Sequence, residues 1–236
     1  MSHVASLVPL ARSIPRLSPS PLVTVFLLGD ALVGLAALVA FVFGGDDGST
    51  LLKVGEESNV PTWFSSSQLL AIGLVLAALA VRDVRFRRPA TWGLALVPLL
   101  FTFLSLDETA MLHERLGDEM AASMGVGLGL RTGPWMFAFV PLVLLLGGAA
   151  AWALRPYLRR RPDALLLLGA GVLLYGLSAV GFEFVANFVG GGSLTQKGLG
   201  FAEELGEMVG ATVLLWGGDR LVRHEGIRLE WGMKGG

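Results

Sequence analysis

WGLALVPLLFTFLSLDETAMLHERLGDE, residues 92–119, runs from hydrocarbon-soluble side chains straight into acid. Trp92 to Leu104 carry no charge, whereas the residues that follow hold Asp107, Glu108, Glu114, Asp118 and Glu119 with His113 and Arg115. Crossing a hydrocarbon core roughly 30 Å thick takes about 20 apolar residues at about 1.5 Å each. The chain offers six stretches of that kind, at about 22–43, 61–81, 90–112, 134–155, 163–189 and 200–221. Read as buried helices of a soluble protein, six such runs in 236 residues leave no polar faces to cover them. Composition agrees: 16% of residues are charged and 53% hydrophobic, against about 25% charged in average soluble domains. The sequence therefore predicts an all-α polytopic membrane protein with six transmembrane helices.

Residues 1–21 read as a Ser/Pro-rich cytoplasmic arm, 22–221 as the six-helix transmembrane domain, and 222–236 as a cytoplasmic tail. A cleaved signal peptide is the rival reading of the start, but its apolar run is too long and no small-residue cleavage site follows. Of the 18 Lys and Arg residues, 14 fall on one side of this six-span layout. The other side has Lys53, Arg115, Arg131 and Lys197. By the positive-inside rule both termini are expected to be cytoplasmic, with the chain in an inner (cytoplasmic) membrane. Trp63 and Trp135 then fall at the outer interface and Trp92, Trp152 and Trp216 at the inner one, as aromatic belts. Pro98 and Pro141 lie inside spans, where kinks are expected. Recurrent glycines, Gly171, Gly206 and Gly210 among them, fit close helix–helix contacts.

Net charge of −1 argues against nucleic acid as a partner, since phosphate neutralisation needs a basic face. With no cysteine, disulfides, Fe–S clusters and thiol nucleophiles are excluded. The expected partners are the lipid bilayer and either other membrane subunits or further copies of the chain.

The acids gather at one depth. Asp107 and Glu108 end the outward-running third span, with His113 and Glu114 just beyond. Glu183 and Asn187 lie near the outer end of the fifth. Glu203, Glu204 and Glu207 fill the first two turns of the inward-running sixth, and Ser65, Ser66, Ser67 and Gln68 begin the second. At about 100° per residue, Asp107, Met111 and Glu114 share a face, as do Glu203, Glu207 and Gly210. Gly176, Ala179, Glu183 and Asn187 form a small, polar stripe. Glu108 and Glu204 point about 100° away from their neighbours.

A charge at mid-membrane costs about 2.5–3.5 kcal/mol on insertion scales, and clustered like charges cost more unless a proton or cation intervenes. That pattern points to an outward-facing site in which Asp107, Glu108, His113, Glu114, Glu183, Glu204 and Glu207 bind a divalent metal ion. Carboxylates with one imidazole suit Fe, Mn or Zn, and an oxygen-only subset suits Ca or Mg. Di-iron bundles usually carry two Glu-x-x-His units, and this chain has none. The competing account leaves Asp107, Glu108, His113, Glu114 and Glu203 as interfacial residues in water, with Glu203 and Glu204 favoured by a helix N-terminus. Asp30 stands apart in the inner half of the first span, where a hydrogen bond to a Ser or Thr neighbour would explain it. Segment 113–133 extends the third helix, with Leu116, Met120 and Met124 forming an amphipathic turn or two.

Met208 stands where the "EE" motif of CAAX-type intramembrane proteases requires arginine, and a rhodopsin-type lysine is missing, because Lys197 reads as a loop residue. The pairing of "SLDETAMLHE" with "EELGEM" resembles an uncharacterised family of bacterial multi-pass membrane proteins with S-x-D-E, H-E and E-E-x-x-E motifs. That resemblance covers the third to sixth spans and implies no particular chemistry. Three functions are expected to compete: a metal-dependent membrane enzyme, a small ion- or proton-coupled transporter, and a non-catalytic subunit of a larger complex.

Overall fold

The computed structural model describes residues 18–43, 52, 59–85, 91–124 and 135–227. Most of the predicted N-terminal arm, the glycine-rich run 125–133, Lys53, Arg131 and the last nine residues lie outside the described residues, as does the Trp92 side chain. Every regular element described is helical: α1 (Pro21–Phe43), α2 (Val60–Arg85), α3 (Thr91–Ala110), α4 (Leu112–Met124), α5 (Trp135–Leu158), α6 (Pro162–Gly176), a π-helical segment (Leu177–Phe182), α7 (Glu183–Ala186) and α8 (Leu194–His224).

Five helices are long and apolar enough to cross a membrane: Pro21–Phe43, Val60–Arg85, Gly93–Ala110, Trp135–Leu158 and Pro162–Ala186. The last predicted span, 200–221, falls within α8. At 31 residues and about 1.5 Å each, α8 reaches about 46 Å, but Glu203, Glu204, Glu207, Asp219 and Arg220 keep it from being uniformly apolar. It lies at the centre instead, packed along α6 and α2 and touching α1. Leu214, Leu215, Leu221 and Val222 on α8 meet Leu69, Ile72, Leu76 and Leu79 on α2 in the main core.

More than half of the α2 span is buried, against about a fifth for α1, α3, α5 and α6. The outer helices consequently expose long apolar rows, such as Leu28, Leu32 and Leu35 on α1 and Leu144 and Leu145 on α5. Water would penalise that surface at about 25 cal/mol per Å², whereas lipid tails accept it. This is a multi-pass membrane protein.

Glycines set how close α6 and α8 lie. A Cβ added at Gly210 would sit 2.6 Å from the Tyr175 backbone nitrogen, and one at Gly171 would sit 2.7 Å from that of Leu214. Pro98 in α3 and Pro141 in α5 are accommodated inside continuous helices.

The two ends of the bundle differ in charge. At one, Arg82 pairs with Glu225 at 2.7 Å, Arg220 with Asp163 at 2.6 Å and Arg223 with Asp219 at 3.0 Å, while Tyr157 donates to Asp83. Among the described residues, the opposite end gathers Asp107, Glu108, Glu114, Glu183 and Glu204.

Candidate functional site

The acidic end is built from a break in the third predicted span. Rather than running on, the helix stops at Ala110, and Met111 takes a left-handed φ of 54° before α4 begins. Such a conformation costs a non-glycine residue about 1–2 kcal/mol. Asp107 offsets it. Its Oδ1 accepts the His113 backbone N–H at 2.9 Å and its Oδ2 lies 2.9 Å from His113 Nδ1. One carboxylate thus caps the first turn of α4 and holds the imidazole with Nδ1 as donor. The predicted common face of Asp107, Met111 and Glu114 does not form, because the left-handed residue resets the helical phase.

His113 is walled by aromatic rings, with Trp135 at 4.5 Å and Phe139 at 5.6 Å between centroids. Burial alone would lower the imidazole's pKa. The hydrogen bond His113 donates to Asp107, the charge of Asp107 and the further charges of Glu114 and Glu183 outweigh burial and hold it above its ordinary 6.5. Trp135 in turn donates its indole N–H to Glu183 Oε1 at 3.2 Å. At 5% exposure Trp135 is no interfacial belt residue; it bridges the histidine to the acid of the fifth predicted span.

Glu183 reaches that position through the π-helical segment. The wider π turn shifts helical phase, so the predicted stripe Gly176–Ala179–Glu183–Asn187 does not hold: Gly176 is exposed, and the Asn187 amide folds back onto the Glu183 carbonyl at 3.1 Å. Ser178, within the segment, is 1% exposed and stands against α8 where Gly206 leaves room.

A second neighbourhood centres on Tyr175, whose hydroxyl donates to Glu108 Oε2 at 3.4 Å. Glu108, Glu207 and Asp107 all lie within electrostatic range of that phenol. Asp107 therefore belongs to both groups, linking His113, Glu114 and Glu183 to Tyr175, Glu108 and Glu207. Glu204 turns away, with its Oε1 3.4 Å from the Asn59 amide at the start of α2. A hydroxyl cluster, Ser66 to Ser105 and Thr109 at 2.7–3.0 Å, joins α2 and α3 beside the site.

Two expectations need correction. The last helix starts at Leu194, capped by Ser193, so Glu203 lies about 14 Å along it at about 1.5 Å per residue. The favourable field of a helix N-terminus fades within a turn and does not account for these glutamates. Lys197 lies in the first turn of α8 rather than in a loop, and is exposed.

The metal expectation is not supported either. Among the described residues no group of three or more His, Asp or Glu side chains is placed to hold a metal ion. The acids are drawn toward separate partners: Asp107 to His113, Glu183 to Trp135, Glu108 to Tyr175 and Glu204 to Asn59.

Below this layer Gln68 makes a deeper polar centre. Its Nε2 donates to Asp30 Oδ1 at 2.7 Å, to Thr212 Oγ1 at 2.7 Å and to the Met208 carbonyl at 3.1 Å. α1, α2 and α8 meet there, all within the apolar interior.

The model of a domain of unknown function, DUF8692, matches residues 22–218. The chain belongs to this family. The DUF8692 match opens at the second residue of α1 and closes inside α8, so it takes in every carboxylate of both neighbourhoods. No curated protein and no solved structure matches the chain. Within this DUF8692 chain, sequence reasoning missed Tyr175 and Trp135 as site residues. Tyrosine was the available signal: the chain has two, both inside apolar helices, and each donates to a carboxylate on another helix.

Proposed function

We propose that the chain is a small proton-coupled membrane carrier whose acidic layer takes up and releases protons at the outer face of a bacterial inner membrane. In this reading α8 is the sixth span and both termini are cytoplasmic. The charge asymmetry supports that orientation: arginines gather at one end of the bundle, and the acids around His113 and Tyr175 at the other. One observation carries the functional reading. His113, whose imidazole pKa folding raises, is hydrogen-bonded to Asp107 within an aromatic wall, with Glu114 and Glu183 in electrostatic range. Such a set exchanges a proton without needing several ligands to meet at one point, which the divalent-cation reading requires.

Because the native chain lacks cysteine, single cysteines report orientation directly. A membrane-impermeant maleimide is expected to label Asp118→Cys in intact cells and Arg160→Cys only after lysis; the reverse pattern would overturn the topology. For function, reconstituted vesicles holding a pH dye should dissipate an imposed pH gradient, with the rate falling at least about tenfold in His113→Gln. Equal rates for wild type, variant and empty vesicles would refute the carrier. Elemental analysis of the same preparation, with and without Glu183→Gln, checks the rival: stoichiometric metal lost in the variant would restore a cation site.

A further inference from the structure

The centre where α1, α2 and α8 meet is short of hydrogen-bond donors. Asp30, Gln68 and Thr212 are 5%, 0% and 0% exposed. The two hydrogens of the Gln68 amide already serve three acceptors, Asp30 Oδ1, Thr212 Oγ1 and the Met208 carbonyl. The Thr212 hydroxyl supplies one further donor, toward Asp30, and two acceptors are still left over, Asp30 Oδ2 and Gln68 Oε1, each buried with no hydrogen-bond partner. Ser65, one turn earlier on α2, does not relieve them, since its own buried hydroxyl has no partner. A buried, unsatisfied acceptor costs about 1–3 kcal/mol, and more when charged.

The orphans are the two remaining oxygens of a pair of groups already joined through Gln68 Nε2 and Asp30 Oδ1. We propose that Asp30 and Gln68 form a mid-membrane proton-binding site, an acid–amide pair in which a proton on Asp30 Oδ2 is donated to Gln68 Oε1. That single proton satisfies both orphans, removes the buried charge and requires no cavity. A monovalent cation among the same oxygens would instead need several of them to open around it.

The surroundings supply no competing cation. Asp30 is the one charged residue of α1. On α2 the charged residues are Arg82, Asp83 and Arg85, 14 or more positions beyond Gln68 and so at least about 20 Å away along the helix. On α8 the nearest titratable groups are Glu204 and Glu207, both acidic, within about a turn of Met208; Glu203 lies one residue further, and Asp219, Arg220 and Arg223 lie toward the arginine end. The site involves different residues from the His113 layer and does not rest on the carrier reading.

Infrared difference spectroscopy of the purified protein in lipid tests the assignment. At neutral pH the wild type is expected to show a protonated-carboxyl C=O band that disappears in Asp30→Asn. Asparagine puts an N–H where the acid had its O–H, so its melting temperature should stay near wild type. In Gln68→Leu the band should persist but move to higher frequency, since the C=O loses its amide donor; this arm remains informative if the Asp30 variant does not fold. Identical carboxyl bands in wild type, Asp30→Asn and Gln68→Leu would overturn the proposal. A band that sodium ions abolish would do so as well, by making a monovalent cation the occupant.

Discussion

Replacing Gly210 by leucine is expected to unseat α6 from α8, with a stability loss of about 3 kcal/mol or more. The reason is which atoms stand in the way. A Cβ at this position would lie 2.6 Å from the Tyr175 nitrogen, 2.9 Å from its Cα and 3.0 Å from its Cβ. Those are backbone or backbone-adjacent atoms of a packed helix, and no rotamer change moves them aside. Gly171 and Gly217 meet Leu214 and Leu168 in the same way along the same helix pair, so strain at Gly210 has no slack on either side. The consequence extends to the site, because Tyr175 would be pushed from Glu108. Gly147 is the matching control, with nothing within 4 Å of its added Cβ. Thermal melting in detergent should show Gly147→Leu near wild type and Gly210→Leu melting far lower or aggregating. Equal melting of the two would refute the close contact.

Asp107→Asn should remove the ionic half of the Asp107–His113 contact while sparing the cap, because an amide oxygen still accepts the His113 backbone N–H. A hydrogen bond to a charged group contributes about 1.5–3 kcal/mol. The imidazole is 21% exposed, so solvent screening places the expected loss toward the lower end of that range. Its sign with pH follows from the direction of the shift. Folding holds His113 above 6.5, so its stabilisation is complete below that value and fades as pH rises through the folded-state value. The gap in melting temperature between wild type and Asp107→Asn should therefore be widest below about pH 6.5 and close in alkali. Trp135, tilted against the ring with centroids 4.5 Å apart, supplies a local readout. The fluorescence difference between the protein and Trp135→Phe should titrate with His113 and move to lower pH in Asp107→Asn. A gap that is constant across pH would show that the pair carries no charge.

That the acids gather was legible because membrane spans have a fixed length: counting residues from the ends of the apolar runs groups Asp107, Glu108 and Glu207 without any knowledge of packing, and all three lie around Tyr175. Their partners were not legible. Helical phase carries information only while the helix is regular, and here it is interrupted twice, by left-handed Met111 and by the π turn at Leu177–Phe182. Each interruption rotates the residues beyond it, which is why Glu183 meets Trp135 and why His113 folds back onto Asp107. The early start of α8 was hidden for a different reason. Its first turns, LTQKGLG, are too polar to count toward an apolar span, and only the Ser193 cap marks where the helix begins.

What the sequence determined by itself is the solvent: apolar runs of spanning length commit the chain to helices in lipid, since unpaired backbone groups are not tolerated there. It also determined the charge at either end, because arginines and acids sort along the chain before any helix packs. Tertiary structure alone decided which helix became the centre. The most charged one, α8, is buried among the others, because its glycines admit α6 closely and its polar groups find Gln68 on α2 and Asn59 just before it. It likewise decided that the carboxylates take separate neutral or imidazole partners, for a hydrogen bond is won by atoms brought within about 3 Å, and residues distant in the chain reach that separation only through packing.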